Sequence, residues 1–496
     1  MPKAIQEGHL GERRLTSLHA IGQSLAIGPI FSAGLLTGLV AGVAGFNSPL
    51  SVLLGSIGAL CLAYVVSLFA RRFAGAGAIY EYLVHGARPR VGVFCAGLYV
   101  TGVLCLMAVF VGVGFQAESF FAAHLSINVT WWIWGAAGLV IAVALNHFGV
   151  RVAIRGVLAL AAISAVPFLI LAATIIAKGG ATGNTVSAFG TGHSSLNSVF
   201  NGILFAVTLF IGFEASAAIA EECENPYRAV PIALIGSVTM AGLFYVVITY
   251  AGAIGFGVHG AATVWPAAPS PMGTLAQRYV GSGLATIIDL VVLLDTISVA
   301  IAFVVAGSRV LFALGRDGLL PPLIARTTSR DTPLGGNLVL AGAGVIGLVF
   351  AGVTHYGDAI KLPNNIEAFS IATAAGSFLI EAVYIVLAVT ALRLIWADGQ
   401  SGRWWRIPIA VIGLATPVLA YKGSLDPWPS FPSNRGFLFA LAWFAIVCAW
   451  FAFVSLRHPT RVAAAGAHAA AREDVSVLDE PAPAAERPLA LDGPEQ

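Results

Sequence analysis

Four acidic residues lie inside long apolar stretches of this sequence: Glu214, Asp289, Asp295 and Glu381. No Lys, Arg or His lies well inside the same stretches. Because a charge at the centre of a bilayer is costly, such residues usually face a cavity or carry function. We therefore expect these acids to be protonated, to bind water and hydroxyl groups, or to meet a transient cation, which could be a proton, a sodium ion or an amine. Asp289 lies nearer the surface, and Glu381 is interpreted as a structural acid.

Two of the acids are candidates for coupling to a cation. Glu214 follows Gly212 at the centre of its apolar stretch, and Asp295 lies near the middle of another, followed by Thr296 and Ser298. The alternative for each acid is a protonated structural role, with a hydrogen bond to a neighbouring helix.

Backbone groups offer a second kind of chemistry in the apolar stretch 18–44. It is interrupted midway by Gly28, Pro29, Ser32, Ala33 and Gly34. Proline donates no amide hydrogen and glycine weakens a helix, so we expect a helix, a few unwound residues around Ile27–Gly34 and a second helix. Free backbone groups inside a membrane are costly unless something binds them.

This break offers two poles. The N–H groups of Ser32, Ala33 and Gly34 would begin the second half-helix, whose partial charge of about +0.5 attracts a carboxylate. The carbonyl groups of Ile27 and Gly28 would end the first half-helix and attract a cation. The pattern therefore predicts a site for a zwitterion, with a simple proline kink as the alternative.

A second interruption is predicted at Phe210-Ile211-Gly212-Phe213-Glu214, where Gly212 is the strong helix weakener. The two interrupted helices open two successive groups of five spans. Five is odd, so the two groups would have opposite topology in the membrane. Interrupted helices at matching places in two inverted halves indicate a binding site at the bilayer midplane.

The elements that position these groups are membrane helices. The chain has 496 residues, is 58% hydrophobic and only 10% charged, against about 25% charged in ordinary soluble domains. We predict an all-α polytopic membrane protein with twelve transmembrane helices. The predicted spans are about 18–44, 49–73, 91–117, 131–146, 152–177, 196–221, 231–256, 284–314, 338–353, 369–396, 407–421 and 436–456.

The spans divide the chain into five predicted parts. These are an N-terminal segment 1–17, a first repeat 18–177, a second inverted repeat 196–396, two extra helices within 407–456 and a disordered tail 457–496. With this division, only Lys178, Arg278, Lys361, Lys422 and Arg435 of the 26 lysines and arginines lie on one side. The positive-inside rule therefore predicts that both termini are cytoplasmic.

Several function classes are excluded or disfavoured. A net charge of +2 without a basic cluster indicates no nucleic-acid partner. The sequence has no HExxH, GxSxG or P-loop motif and no metal-ligand spacing of Cys and His, so we expect neither an enzyme nor a bound cofactor or metal.

Three segments resemble the amino acid–polyamine–organocation (APC) transporters. They are RFAGAGAIYEY at Arg72–Tyr82, Gly212-Phe213-Glu214 with EECENPYRAVP at Glu221–Pro231, and SRVLFALGRDGLLP at Ser308–Pro321. The resemblance implies the five-plus-five inverted repeat with two added helices, as in the fold named after the leucine transporter.

The resemblance also implies roles for residues at both breaks. An amino acid carboxylate would dock near Ser32–Gly34, and its amine would meet carbonyl groups of Ile27, Gly28 and the segment 210–212. Phe213 or Phe210 would be the aromatic gate. Pro29 is a departure from the usual break, which has only Gly and Ser, and could change how the substrate's headgroup is held.

Coupling is the second departure. Some proton-coupled members carry a lysine in span five, where the closest position here is Ser164. A hydroxyl there could instead help bind sodium, alongside Thr296 or Ser298, so both H⁺ and Na⁺ stay open as coupling ions.

We therefore expect a secondary transporter of the plasma membrane that moves an amino acid or a related amine by alternating access. The alternatives are a transporter-like amino acid sensor and a channel. The exact substrate and the oligomeric state stay open.

Overall fold

The structure is a computed structural model that describes residues 10, 15–25, 29–148, 150–355, 364–398, 404–426, 428–429, 431–432, 434–467 and 470–471. Its helices are α1 Ser17–Leu25, α2 Pro29–Phe31, α3 Thr37–Ala44, α4 Ser48–Ala70, α5 Ile79–Gly86, α6 Pro89–Leu106, α7 Val109–Leu125, α8 Trp131–His147, α9 Val150–Lys178, α10 Leu196–Thr208, α11 Pro226–Thr263, α12 Pro271–Tyr279, α13 Ser282–Arg316, α14 Leu334–Val353, α15 Asn364–Asp398, α16 Arg406–Leu425, α17 Arg435–Arg457 and α18 Pro459–Ala463. Short 3₁₀ helices lie at Gly45–Asn47, Val186–Phe189, Phe213–Glu222 and Pro322–Ala325.

The predicted all-α membrane architecture is confirmed at the level of helix content and apolar spans. Within the described ranges, ten helical segments are long and apolar enough to cross a membrane. The first of them, Ser17–Ala70, is 54 residues long, and Trp131–His147 is a further, shorter apolar helix. The only strands in the described part are β1 Phe73–Ala74 and β2 Ala470–Ala471, which pair antiparallel.

The predicted unwinding around Ile27–Gly34 is contradicted over its described part. The described backbone is helical over Ser17–Leu25 and again from Pro29, whereas the sequence predicts that the second half-helix begins near Ser32. Proline fixes φ at about −65°, which is a helical value, so helical backbone can follow it directly. Residues Ser32–Leu36 then form a π-helical turn, so Ser32, Ala33 and Gly34 lie inside the second half-helix. Ile27 and Gly28 lie outside the described residues.

The second interruption lies where the sequence predicts it. Helix α10 ends at Thr208, a turn follows, and a 3₁₀ helix runs from Phe213 to Glu222. Gly212 has φ 97° and ψ 2°, a left-handed conformation that a residue with a Cβ adopts only with strain.

The interrupted helices lie side by side. Helix α1 contacts the 3₁₀ helix Phe213–Glu222, and α3 contacts α10. Each half of one interrupted helix therefore packs on one half of the other, and this arrangement brings the two breaks together.

The predicted tail from Arg457 begins with ordered structure. Helix α18 spans Pro459–Ala463, and the N–H of Gly466 donates a 2.7 Å hydrogen bond to Oδ2 of Asp317. The part of the predicted tail after residue 471 lies outside the described residues.

Candidate binding site between two interrupted helices

A small cavity lies between the predicted first break and the second break. On one side it is lined by Ser24, Leu25 and Pro29, which flank the first break, and on the other by residues of the second break. The second-break residues are Leu209, Phe210, Ile211 and Phe213. Its volume is about 20 Å³, enough for about one water molecule.

A second, much larger cavity lies next to the same breaks. Its volume is about 490 Å³, within the range of small-molecule binding sites. Its walls come from the second half of the first interrupted helix, the first half of the second one, and helices α6, α7, α13, α15, α16 and α17. Its polar lining residues are Ser32, Thr208, Ser370, Thr373, Ser377, Glu381 and Ser424. Of the predicted binding residues, Ser32 borders this cavity.

The start of the described second half-helix already binds a carboxyl group of this chain. The N–H of Phe31 donates a 2.8 Å hydrogen bond to Oδ2 of Asp295, and Ile30 adds a second backbone interaction. Asp295 is fully buried, and its Oδ1 has no hydrogen-bond partner within the described ranges. This hydrogen bond holds α2 against α13.

Tyr245 of α11 connects the two breaks. Its hydroxyl donates a 3.1 Å hydrogen bond to the carbonyl of Leu209 and also interacts with Ser32. The Leu209 carbonyl has no helical partner once the second helix unwinds, and Tyr245 donates a hydrogen bond to it. Nothing in the local sequence distinguishes this tyrosine from others, because its partners lie on other helices.

The two gate candidates, Phe210 and Phe213, both border the small cavity. The ring of Phe210 packs edge-on against Tyr245, with 5.2 Å between centroids. The ring of Phe213 lies 5.7 Å from that of Tyr384 on α15.

Gly34 and Ala33 are buried away from open space. A Cβ added to Gly34 would lie 2.8 Å from Cγ2 of Val292, so this glycine allows the half-helix to pack closely on α13. Ala33 is fully buried.

Glu214 is held by two tyrosines. Tyr99 of α6 donates a 3.0 Å hydrogen bond to its Oε1, and Tyr384 of α15 donates a 2.5 Å hydrogen bond to its Oε2. Only 1% of Glu214 is exposed, and it borders neither of the two cavities described above. The carboxyl group therefore joins the second interrupted helix to two others.

Two other candidate ion ligands, Thr296 and Ser298, donate their hydroxyl hydrogens to carbonyl groups of their own helix. Thr296 donates to the carbonyl of Val292 at 2.8 Å, and Ser298 donates to that of Leu294 at 3.1 Å. The hydroxyl of Ser164 is buried without a partner among the residues the structure describes. In that same part of the chain, no group of three His, Cys, Asp or Glu residues is placed to hold a metal ion.

A charge cluster forms where the three family segments meet. Arg316 donates hydrogen bonds to both carboxylate oxygens of Glu221, at 2.7 and 3.2 Å, and lies 3.9 Å from Glu81. Arg309 donates a 2.8 Å hydrogen bond to Glu222. The sequence separately marks these three segments, and only the fold shows that their charges pair.

Glu81 is a buried acid of this cluster. Burial, together with the nearby charge of Glu221, raises its pKa to about 8, although Arg316 and the N–H of Gly77 act in the opposite direction. The backbone of Leu15 is hydrogen-bonded next to this charge cluster. Its N–H donates to the carbonyl of Glu222, and its carbonyl accepts from the N–H of Glu224.

The sequence also matches known proteins. Residues 16–464 match the family described as amino acid permease. The branched-chain amino acid permease BcaP of Lactococcus lactis is 25% identical over 235 residues, 47% of this chain and 46% of the relative. The amino-acid permease GAP5 of Candida albicans is 27% identical over 360 residues, 68% of this chain and 56% of the relative. BcaP of Bacillus subtilis is 25% identical over 323 residues, 61% of this chain and 67% of the relative.

The first two alignments span about half of each relative's length. The family match, in contrast, runs from the start of α1 to the end of α18 and includes both interrupted helices and all three motif segments. The chain belongs to the amino acid permease family of the APC superfamily.

Proposed function

We propose that this protein is a secondary active transporter that moves an amino acid or a related amine across the plasma membrane by alternating access. The observation that carries the proposal is the shared cavity: the residues flanking both helix breaks line one space. Interrupted helices that meet in the membrane supply unpaired backbone dipoles to a substrate. The names of the relatives, which are amino acid permeases, support the substrate class.

The proposal includes twelve membrane crossings. The segment Ser17–Ala70 has 54 residues, so as helix it would be about 81 Å long, and a bilayer core is about 30 Å thick. We therefore count it as two crossings. Trp131–His147 packs between other spans and, at 17 residues, reaches about 25 Å, which makes it the remaining crossing.

The inverted repeat is supported by pairs of helices with the same rank in each half. In the proposed numbering, span two (α4) packs along span seven (α11) and span four (α8) packs against span nine (α14). Span three (α6 and α7) contacts span eight (α13) in the same way. Such pairing is expected where two halves are related by an axis in the membrane plane.

The distribution of lysine and arginine supports cytoplasmic termini. In that orientation α3 and α10 are the outer halves of the interrupted helices. The 490 Å³ cavity that they line would then be the outer vestibule, and the charge cluster around Arg316 would close the inner side.

We place the substrate between the breaks. Its amine would meet carbonyl groups of Ile27, Gly28 and the segment 210–212. Since Asp295 already accepts from Phe31, the substrate carboxylate would bind at Ser32, which borders the large cavity. Because the small cavity holds about one water, substrate binding requires the two interrupted helices to move apart.

Transport is tested with purified protein in liposomes loaded with unlabelled amino acids, by measuring exchange for labelled amino acids outside. Ala241 borders the small cavity, and Ala241→Leu fills it. Overpacking of this kind costs about 1–3 kcal/mol, so we expect exchange to fall about ten-fold. The matched control is Ala449→Leu on an exposed position of α17, which should exchange like the wild type.

The outcomes separate the candidate functions. Binding of amino acids, seen as a thermal shift, without any exchange would identify a sensor and overturn the transport proposal. Single-channel currents would identify a channel. Repeating the assay with imposed proton or sodium gradients tests which ion, if either, is coupled.

A further inference from the structure

One face of α15 carries a row of polar side chains into the large cavity. Ser370, Thr373, Ser377 and Glu381 are spaced by three or four residues, so they lie on the same side of the helix. All four line the 490 Å³ cavity. The row begins near the start of the helix and ends at the acid.

The three hydroxyl groups have already used their hydrogens. Ser370 donates to the carbonyl of Ile366 at 2.9 Å, and Thr373 to that of Phe369 at 2.8 Å. Ser377 donates to the carbonyl of Thr373 at 2.9 Å. What these oxygens offer to the cavity is therefore lone pairs, which accept hydrogen bonds from water or from a hydrated cation.

Glu381 lies at the inner end of this row and differs from the other buried acids. Only 3% of it is exposed, and it borders both the large cavity and a small one of about 10 Å³ shared with Phe213 and Tyr384. Asp295 has a backbone donor and Glu214 has two tyrosines. Across the described ranges, no hydrogen bond or ion pair reaches the Glu381 carboxyl group.

The groups around Glu381 do not supply a counter-charge. Tyr421 of α16 and Tyr384 face it, and the Tyr421 hydroxyl donates to the carbonyl of Phe378. Glu214 lies beyond Tyr384, with Tyr99 on its other side. On α16 and α17, Lys422 is exposed, Arg406 lies over the ring of Trp405, and Arg435 lies over the ring of Phe431.

We propose that Glu381 is a proton-binding site, reached from the large cavity along the row of hydroxyl oxygens. An isolated carboxylate in an apolar environment is strongly disfavoured, and a proton removes the charge without further ligands. A metal ion would need several oxygen ligands, and the small cavity beside Glu381 is lined mostly by apolar groups such as Leu62, Val207 and Pro417.

This inference rests on the proposed transport function and names its coupling site. Substrate entry that requires protonated Glu381 would tie uptake to the proton gradient. A ligand can shift the equilibrium between two states only through its different affinity for them, so the proton must bind more tightly in one of the two.

The test uses Glu381→Gln, which resembles the protonated acid. In proteoliposomes, an inward proton gradient should accelerate uptake by the wild type, and Glu381→Gln should lose this acceleration while keeping exchange at equal pH. Glu118→Gln, at a partly buried position of α7, is the matched control and should keep the acceleration. Glu381→Asp, which keeps a carboxyl group, should retain part of the acceleration by the proton gradient.

Two results would overturn the inference alone. One is wild-type exchange that no proton gradient accelerates, and the other is acceleration that survives in Glu381→Gln. Dependence on a sodium gradient that disappears in Glu381→Gln would identify a sodium site instead. Absence of any exchange by the wild type overturns the transport function itself.

A second measurement does not depend on transport. Infrared difference spectra of the purified protein, recorded while the pH is changed, should show a protonated carboxylic acid band that is missing in Glu381→Gln. An unchanged band in a folded Glu381→Gln sample contradicts a protonated Glu381.

Discussion

The N–H of Phe31 donates a 2.8 Å hydrogen bond to the carboxylate of Asp295, although the two residues are 264 positions apart in the sequence. This bond attaches the second half of the first interrupted helix to the middle of α13. The carboxyl group of Asp295 therefore lies at the end of the half-helix where a substrate carboxylate is expected to bind. If α2 and α3 move away from α13, this hydrogen bond must break. If the bond persists, the three helices must move together.

The first prediction concerns Asp295. Asp295→Ala leaves the N–H of Phe31 buried without an acceptor, which typically costs about 1–3 kcal/mol. We expect a lower thermal unfolding midpoint for Asp295→Ala in detergent, with Asp295→Asn between it and the wild type because an amide oxygen still accepts. Equal midpoints for all three proteins would show that the bond contributes no stability.

The second prediction concerns the tyrosines that hold Glu214. Tyr384→Phe removes the donor to Oε2 and leaves the donor from Tyr99 in place. Leaving a buried acceptor without its donor costs about 1–3 kcal/mol, so the unfolding midpoint should fall. Tyr250→Phe, whose ring stacks on Phe189 outside this site, is the control.

Glu214 itself separates a structural role from a titrating one. Glu214→Gln keeps an acceptor for one tyrosine, so a structural role predicts altered stability and an unchanged pH profile of uptake. If Glu214 exchanges a proton during transport, the pH profile should shift. Uptake measured between pH 5 and 8 distinguishes the two results.

The third prediction concerns the pH dependence of stability at Glu81. Its folded-state pKa of about 8 lies above its ordinary value of 4.5. Between these values the folded protein retains a proton that the unfolded chain has lost. The contribution of Glu81 is therefore fully present below pH 4.5 and is lost as the pH rises toward 8.

Unfolding midpoints at pH 5, 6.5 and 8 test this directly. The wild type should become less stable over the range, and Glu81→Gln should have a flatter profile. Glu224→Gln, at an exposed position near the same cluster, should keep the wild-type slope. A slope unchanged in Glu81→Gln would assign the pH dependence to other groups.

The fourth prediction concerns the buried ion pair between Arg309 and Glu222, whose side chains are 1% and 3% exposed. Arg309→Met leaves a buried carboxylate without its partner, which costs about 3–5 kcal/mol. The double variant Arg309→Met with Glu222→Gln should recover part of that loss, because it removes the unpaired charge. Additive losses in a double-mutant cycle would contradict a direct pair.

The sequence by itself determined the class of this protein and the place of its second interruption. The recurrent apolar segments have the length needed to cross a bilayer, and Pro29 and Gly212 weaken a helix through their own backbone chemistry. Both are local properties, so they can be read without neighbours. The predicted start of the second half-helix near Ser32 was wrong, because Pro29–Leu36 is already helical and the φ that proline imposes is a helical one.

Only the tertiary structure decided which groups meet. Helical periodicity shows that Ser377 and Glu381 share a face, but the rotation of α15 against its neighbours decides that this face borders a cavity. The same holds for Tyr384, which reaches Glu214 across 170 positions. Which side chains on different helices meet depends on packing angles and distances that cannot be predicted from a single segment. The buried acids could therefore be identified from the sequence, but only the fold shows that Glu214 and Asp295 have hydrogen-bond donors and that Glu381 differs from them.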